Sequence, residues 1–258
     1  MECFRPAAVW FFAPSSLDSL AEWTSKVGEV TNGVTKIWIQ VGSVSEAVGV
    51  CKTCHPDVLV LQGVDAGGHG LNKGAGLTSL VPEVIDTLQN LVARCIVPKM
   101  PTIVAAGGIA EGRGVAAALA LGAEGVVMGT RYLAAKEAEI TEGYKAEVLR
   151  ARDGGQTTVR SSVYDNLRGT TGWPDAYGGR GVVNQSYFDA MAGMSWDENK
   201  KLYGEATKAG DSGWGEAGRL TAYAGTSVGL VNKLQTAKEI TEEVREEAKK
   251  VVRRLQIT

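Results

Sequence analysis

The sequence predicts an α/β protein built on a parallel sheet, and three observations carry that prediction. Short, mostly apolar runs recur along the first half of the chain. Each is followed by a stretch with helical spacing. Glycines, 33 of 258 residues, cluster where the apolar runs end and do not form a low-complexity tract. Strands that are apolar throughout and alternate with helices pair in parallel and are buried on both faces.

The elements follow in order. Ala7 to Phe12 (AAVWFF) is an apolar run stopped by Ala13-Pro14, and Ser15-Ser16 can cap a helix over about Leu17 to Val30. Ile37 to Val41 (IWIQV) is the second strand, followed by a short helix to about Lys52 that Ser43 or Ser45 can cap. Asp57 to Leu61 (DVLVL) opens the third strand. After a glycine-rich loop, Thr78 to about Arg94 reads as a helix with Pro82 tolerated in its first turn. Thr102 to Ala105 (TIVA), a helix over Gly112 to Leu121 and Gly125 to Met128 (GVVM) complete the alternation. Lys136 to Ala151 reads as a further helix. Asp153 to Gly229 is long, aperiodic and rich in Gly, Trp, Tyr and Arg, with Arg168, Arg180 and Arg219 spread along it, which marks a segment structured by packing. About Thr236 to Leu255 is a charged amphipathic helix whose i,i+4 pairs and basic last turn make it a solvated outer element. The expected division is residues 1–135, carrying the strand-helix series, and 136–258, packing beside it and returning to it.

Composition narrows the function classes. A net charge of −2 with 44% hydrophobic and 22% charged residues is ordinary for a globular protein and gives no sign of a nucleic-acid or membrane surface. No apolar run reaches the roughly 18 residues that span a bilayer, and Met1-Glu2-Cys3 lacks the basic start of a signal peptide, so the expected compartment is the cytosol. Cys3, Cys51, Cys54 and Cys95 are too few and scattered for a disulfide framework. Cys51 and Cys54 form a C-x-x-C followed by His55, but a second ligand pair is missing, and the spacing reads as chance at a helix end. No metal site is expected.

In a parallel α/β sheet, ligands gather at the C-terminal ends of the strands. Three glycine turns lie there: Gln62-Gly63-Val64-Asp65-Ala66-Gly67-Gly68-His69-Gly70, then Ala106-Gly107-Gly108-Ile109, then Met128-Gly129-Thr130-Arg131. The last two feed helices, as in a phosphate cradle where backbone N–H groups and a helix N-terminus hold an anion, and Thr130 adds a hydroxyl. The plainer alternative is that these glycines only permit tight strand-to-helix turns. His69 is one of two histidines. Its neutral resting form suits proton abstraction near neutral pH, against the alternative of a satisfied structural histidine. His55, before Pro56, belongs to a solvated loop. Asp65 reads as a cap on nearby backbone N–H groups.

The runs "VLVLQGVDAGGHG", "IVAAGGIAEGRGVAAALALGAEGVVMGTRYLA" and "YAGTSVGLV" resemble the nitronate monooxygenase family, formerly the 2-nitropropane dioxygenases, flavin enzymes on a TIM barrel. The likeness runs from about Arg5 to the last helix. It implies FMN as cofactor, with Gln62, Gly67 and Gly108 binding the flavin and Val127, Met128, Gly129 and Thr130 wrapping its phosphate. It implies His69 as the base that takes the α-proton of a nitroalkane or accommodates its nitronate, with O2 as co-substrate. "RGTTGWPDAYGGRGVVN" resembles the family segment beside the barrel mouth. "YAGTSVGL" either returns the chain to the cofactor or starts a helix capped by Thr226 or Ser227.

The expected fold is therefore an incomplete TIM-barrel type, with about five of eight strand-helix units. Three units, roughly 90 residues at about 30 each, have no counterpart in the sequence. An open barrel exposes strand edges and apolar inner faces, so either the chain is incomplete or a second copy or the C-terminal segment covers the gap. Two other functions stay open: a non-catalytic half-barrel remnant, and an FMN-dependent enoyl or quinone reductase driven by NAD(P)H.

Overall fold

A computed structural model describes residues 5–255, so Cys3 lies outside the described residues. The elements run β1 Ala8–Phe11, α1 Leu17–Thr31, β2 Lys36–Val41, α2 Val44–Thr53, β3 Val58–Gln62, β4 Gly68–Leu71, α3 Leu77–Ala93, β5 Thr102–Ala106, α4 Gly112–Ala120 and β6 Gly125–Val127. They continue α5 Thr130–Leu133, α6 Glu142–Arg150, α7 Gly154–Thr157, β7 Thr158–Ser161, α8 Val163–Arg168, β8 Tyr177–Val182, α9 Gln185–Met191, α10 Trp196–Lys208 and α11 Ala237–Leu255. The chain folds as two units. One takes the chain to Val64 with Lys73–Ala106 and Ala117–Val127, the other Asp65–Asn72, Gly107–Ala116 and the chain from Met128 onward.

The first unit holds the predicted α/β alternation. Its five strands form one sheet in the order β1-β2-β3-β5-β6, and every neighbouring pair is parallel. β3 lies at the centre, and its Leu59, Val60 and Leu61 are fully buried, as a strand covered on both faces requires. The helix starts follow side-chain chemistry: Ser16 Oγ accepts the Ser19 N–H at 3.0 Å, and Ser43 Oγ accepts that of Glu46 at 3.2 Å. α3 begins at Leu77 behind Gly76, so Pro82 sits inside the helix and not in its first turn. The buried stripe Leu80, Val81, Val84 and Leu88 holds this helix in place despite the missing N–H. Cys51 and Cys54 are buried free thiols, and burial followed by the neighbouring Cys54 pushes the Cys51 thiol up to about 12. It is an inert core group.

The second unit departs from the expected picture. The stretch read as one helix over Lys136 to Ala151 starts only at Glu142, because Ala135 bridges to Gln235 and the Lys136 N–H donates to the Gln235 carbonyl at 2.8 Å. The aperiodic Asp153 to Gly229 contains β7, β8 and four helices, and β4-β8-β7 form an antiparallel sheet. Its core gathers Val148, Val182, Ala222, Ala224, Val228 and Val231. α11 opens with a reciprocal cap: the Thr236 hydroxyl oxygen accepts the Glu239 N–H at 3.1 Å, and Glu239 accepts the Thr236 N–H at 2.7 Å. Its Ile240 and Val244 pack with Ala135, Met128 and Tyr132, so one face of this outer helix is core. Among the described residues no helix is long and apolar enough to cross a membrane.

One close approach governs this unit. A Cβ on Gly67 would lie 2.4 Å from the Gly225 nitrogen and 2.5 Å from the Ala224 carbonyl carbon, both backbone atoms that cannot swing away. Gly67→Ala is expected to lower stability by about 1–3 kcal/mol through overpacking. Gly28→Ala, in the interior of α1 with nothing within 4 Å of the added carbon, should gain about 0.5–1 kcal/mol. Urea midpoints of the two variants measure both; equal midpoints would remove the close-approach argument.

Candidate functional site

In the first unit, Gln62 ends β3 and Val127 ends β6, and both pair with Ala106, the last residue of β5. Three strand ends thus stand in one row of the sheet. The remaining predicted residues belong to the second unit, and there the segment Ala224–Thr226 connects most of them. Gly67 packs on Gly225, the Thr130 Oγ1 accepts the Gly225 N–H at 2.9 Å, and the Thr226 hydroxyl donates to Asp65 at 2.8 Å. Gly108, with φ +75°, faces Asp65, whose Cβ an added side chain would meet at 2.9 Å. The Asp65 carboxylate therefore takes a hydroxyl, while its backbone carbonyl accepts the Thr226 N–H at 3.0 Å. The 226–230 stretch is a 3-10 helix whose cap Gly225 offers no side chain, so neither Thr226 nor Ser227 is its N-cap.

A cavity of ≈ 520 Å³ opens here, lined by Asp65, Gly108, Asp153, Thr226, Ser227 and Gly229 among others. The Thr226 hydrogen is already given to Asp65, so Ser227 is the lining hydroxyl left to donate, and the two carboxylates suit hydroxyl donors. Gly129 has nothing within 4 Å of the place a Cβ would take, whereas Met128 sends its side chain into the core beside α11. The expected helix N-termini differ. The first amide of α4, Gly112 N–H, donates to Glu247 at 2.7 Å, so a carboxylate of the chain itself caps that helix. α5 has four residues, too short for a useful dipole. Neither helix start is therefore an open anion site.

His69 sits on β4 opposite Gly179 of β8. A Cβ on Gly179 would come within 2.6 Å of the Tyr223 ring, so the glycine-rich β8 is what lets Tyr223 approach. The strand is fixed by Arg160 of β7, which donates to the carbonyls of Gly68 at 2.8 Å, Gly178 at 2.6 Å and Ala66 at 2.7 Å. Burial, then the nearby Arg180, pulls the Arg160 guanidinium down to about 10, which keeps it charged at neutral pH.

The imidazole of His69 meets the carboxylate of Asp165, with Nε2 3.0 Å from Oδ1 and 2.9 Å from Oδ2, and both side chains are nearly shielded from solvent, at 13% and 8% exposure. Trp173 stacks on the ring at 3.7 Å between centroids, and Tyr223 lies 5.4 Å away at a tilt. Tyr223 and Thr170 each donate a hydroxyl hydrogen bond to Asp165 Oδ1 at 2.9 Å. Burial, and then the Asp165 carboxylate it donates to, pushes the Tyr223 phenol well above its usual range, so it remains a donor. A histidine held by a buried carboxylate in a mostly dry aromatic setting can accept a proton and carry the resulting charge. Tyr223 also lines a larger cavity of ≈ 630 Å³ together with Tyr144, Leu167, Arg168, Tyr203 and Trp214.

Sequence reasoning singled out His69, Gly67, Gly108, Gly129 and Thr130, and missed Asp165 and Arg160. Asp165 does carry a local signal, an acid between the apolar pair Val163-Tyr164 and Leu167 on one short helix.

The nitronate monooxygenase family model matches residues 24–247. Nitronate monooxygenase npaC of Metarhizium robertsii is 47% identical over 251 residues, which cover 96% of this chain and 68% of that protein. A nitronate monooxygenase of Neurospora crassa is 41% identical over 258 residues, covering 97% and 66%. The chain thus spans about two thirds of the length of these curated relatives. Among solved structures, FabK from Thermotoga maritima superposes with a TM-score of 0.71 at 26% identity, covering 96% of this chain and 70% of that one. With a family match over most of its length and a relative 47% identical over 96% of it, the chain belongs to the nitronate monooxygenase family.

Proposed function

We propose that the protein is an FMN-dependent oxidoreductase that oxidises alkyl nitronates or nitroalkanes with O2, with His69 as the general base. The observation that carries the reading is the pairing, largely shielded from solvent, of the His69 imidazole with Asp165, four residues beyond Asp65, which lines the ≈ 520 Å³ cavity. Gly108 and Ser227 around that cavity, with the open position at Gly129 and the hydroxyl of Thr130, would hold the ribityl phosphate. Gly67 and Met128 complete the proposed set in the second unit, Met128 through its backbone. The chemistry a bound FMN supplies is that of an electron acceptor able to pass its electrons to dioxygen.

The residues themselves handle the proton. The Asp165 carboxylate has no hydrogen to give in its ionised form, so His69 Nε2 carries the proton between them and the basic lone pair is on Nδ1. A nitroalkane α-proton taken there leaves a nitronate and an imidazolium, whose charge lies against Asp165 and over the Trp173 face. The aromatic walls of the ≈ 630 Å³ cavity suit the organic part of such a substrate, and Arg168 suits its negative charge. In the same reading the five-stranded sheet is part of a β/α barrel, and its outer strands β1 and β6, each with one neighbour, are the edges that a second copy would cover.

Reconstitution with FMN followed by an oxygen-electrode assay tests the reading. Oxygen uptake with propyl-2-nitronate or 2-nitropropane, without NAD(P)H oxidation, is expected. NAD(P)H oxidation alone would move the protein to the reductase class, and a chain that holds no flavin would mark it as non-catalytic. His69→Ala should lower turnover of the nitroalkane by about 10²–10⁴-fold with flavin retained. Full turnover in that variant would sink the assignment of the base. Gly129→Asp should weaken FMN retention several-fold while leaving the melting temperature of the flavin-free chain within about 2 °C, because the added side chain enters open space. Unchanged FMN affinity would remove Gly129 from the cradle.

A further inference from the structure

We infer that Asp165 is a positioning residue that fixes the His69 imidazole as its Nε2–H tautomer, with the hydroxyls of Tyr223 and Thr170 setting the carboxylate's orientation. The inference deepens the proposed role of His69 and rests on it for its catalytic consequence. Asp165 touches neither cavity's lining; its partners are three side-chain donors. Oδ1 receives Tyr223 and Thr170 at 2.9 Å each, and the nitrogen of His69 stands 2.9 Å from Oδ2. An ionised carboxylate only accepts, so every one of these partners must donate, and the imidazole can do so from Nε2 in a single neutral tautomer. Trp173, stacked with its plane 9° from that of His69, holds the ring plane, and turning the ring over within that plane would put Cε1–H in place of Nε2–H against the carboxylate.

The asymmetry of the two oxygens makes a sharp expectation for Asp165→Asn. Tyr223 and Thr170 need an acceptor at the Oδ1 position, so the amide oxygen settles there and the NH2 group takes the Oδ2 place. It then donates to His69 Nε2, which must give up its hydrogen, and the proton moves to Nδ1. A base whose lone pair has moved to the opposite side of the ring loses its reaction while the fold persists, the pattern known for triad histidines whose carboxylate is replaced by an amide.

The chain has two histidines, which makes the tautomers directly readable by ¹⁵N NMR of the imidazoles in the FMN-loaded protein. His55 is an internal reference: its Nδ1 lies 3.0 Å from the Cys51 carbonyl, which can only accept, so it is the Nδ1–H form. His69, assigned by its loss in His69→Ala, is expected as Nε2–H in the unmodified protein and as Nδ1–H in Asp165→Asn. Turnover of 2-nitropropane should fall by about 10²–10⁴-fold in that variant with KM changed less than about threefold. An Nδ1–H form of His69 in the unmodified protein overturns the inference without any variant, and so does an unchanged tautomer or full turnover in Asp165→Asn. Failure of the base itself shows separately, as turnover that survives His69→Ala; the tautomer would then be fixed by Asp165 with no catalytic consequence, which overturns the positioning role.

Discussion

Five consecutive residues, Asp65 to His69, are pinned at every position that matters, and the rest of the second unit is organised to hold them. The Thr226 hydroxyl engages the Asp65 carboxylate, Arg160 takes the carbonyls of Ala66 and Gly68, Gly67 lies against the Gly225 backbone, and His69 meets Asp165. Hydrogen bonds to a charged group contribute about 1.5–3 kcal/mol each, and Arg160 makes three to backbone carbonyls from a largely buried position. Such a clamp fixes a backbone, and a fixed backbone places the imidazole it carries.

Tyr223 joins two parts of this arrangement. Its hydroxyl orients Asp165, while its ring lines the ≈ 630 Å³ cavity and lies 5.5 Å under the Arg168 guanidinium. Its backbone carbonyl accepts the Tyr144 hydroxyl at 2.9 Å, and burial pushes that phenol up to about 12, so it too stays a donor at neutral pH. Occupancy of the cavity and orientation of the His69 imidazole therefore act on one side chain. The glycines of β8 are the precondition, since any larger residue at 179 would displace the ring.

The sequence made the parallel sheet legible because its strands are pure local signals: five short apolar runs, each ending in a turn residue, matched to five strands with ends shifted by no more than one residue. The antiparallel sheet left no such trace. GHGL and YGGRGV carry no alternation and are depleted in strand-forming side chains; Arg160, 92 positions away from Gly68, holds its carbonyl, while the Asn72 and Tyr223 side chains select glycine at 178 and 179. The helix expected at Lys136 has good local propensity and yields to a backbone pairing with residue 235, a tertiary override that no window of sequence shows. His69 stood out by its glycine neighbours, whereas its partner Asp165 lies 96 positions further on and could be found only once the chain was folded. The glycine turns were equally visible, yet their purpose was mixed: Gly67 serves packing, Gly108 packing beside a cavity, and Gly129 open space.

The cap on α4 decides how an anion can be held near these turns. A helix N-terminus attracts negative charge by about 0.3–1 kcal/mol at an exposed site and up to about 2 when partly buried, and one anion suffices to satisfy it. Glu247 already occupies that place, 2.7 Å from the first amide, and it comes from α11, whose apolar stripe of Ile240, Val244 and Ala248 is buried against the same unit. A Cβ on Gly112 would strike the Ala248 nitrogen at 2.4 Å, so the two helices meet too closely for a phosphate to enter between them. Displacing Glu247 would leave its charge unpartnered in a half-buried contact, at a cost comparable to what a phosphate would gain there. The last helix of the chain thus acts as an internal anion that closes off the start of α4, and the phosphate proposed above would have to sit elsewhere, at positions such as Gly108 and Ser227.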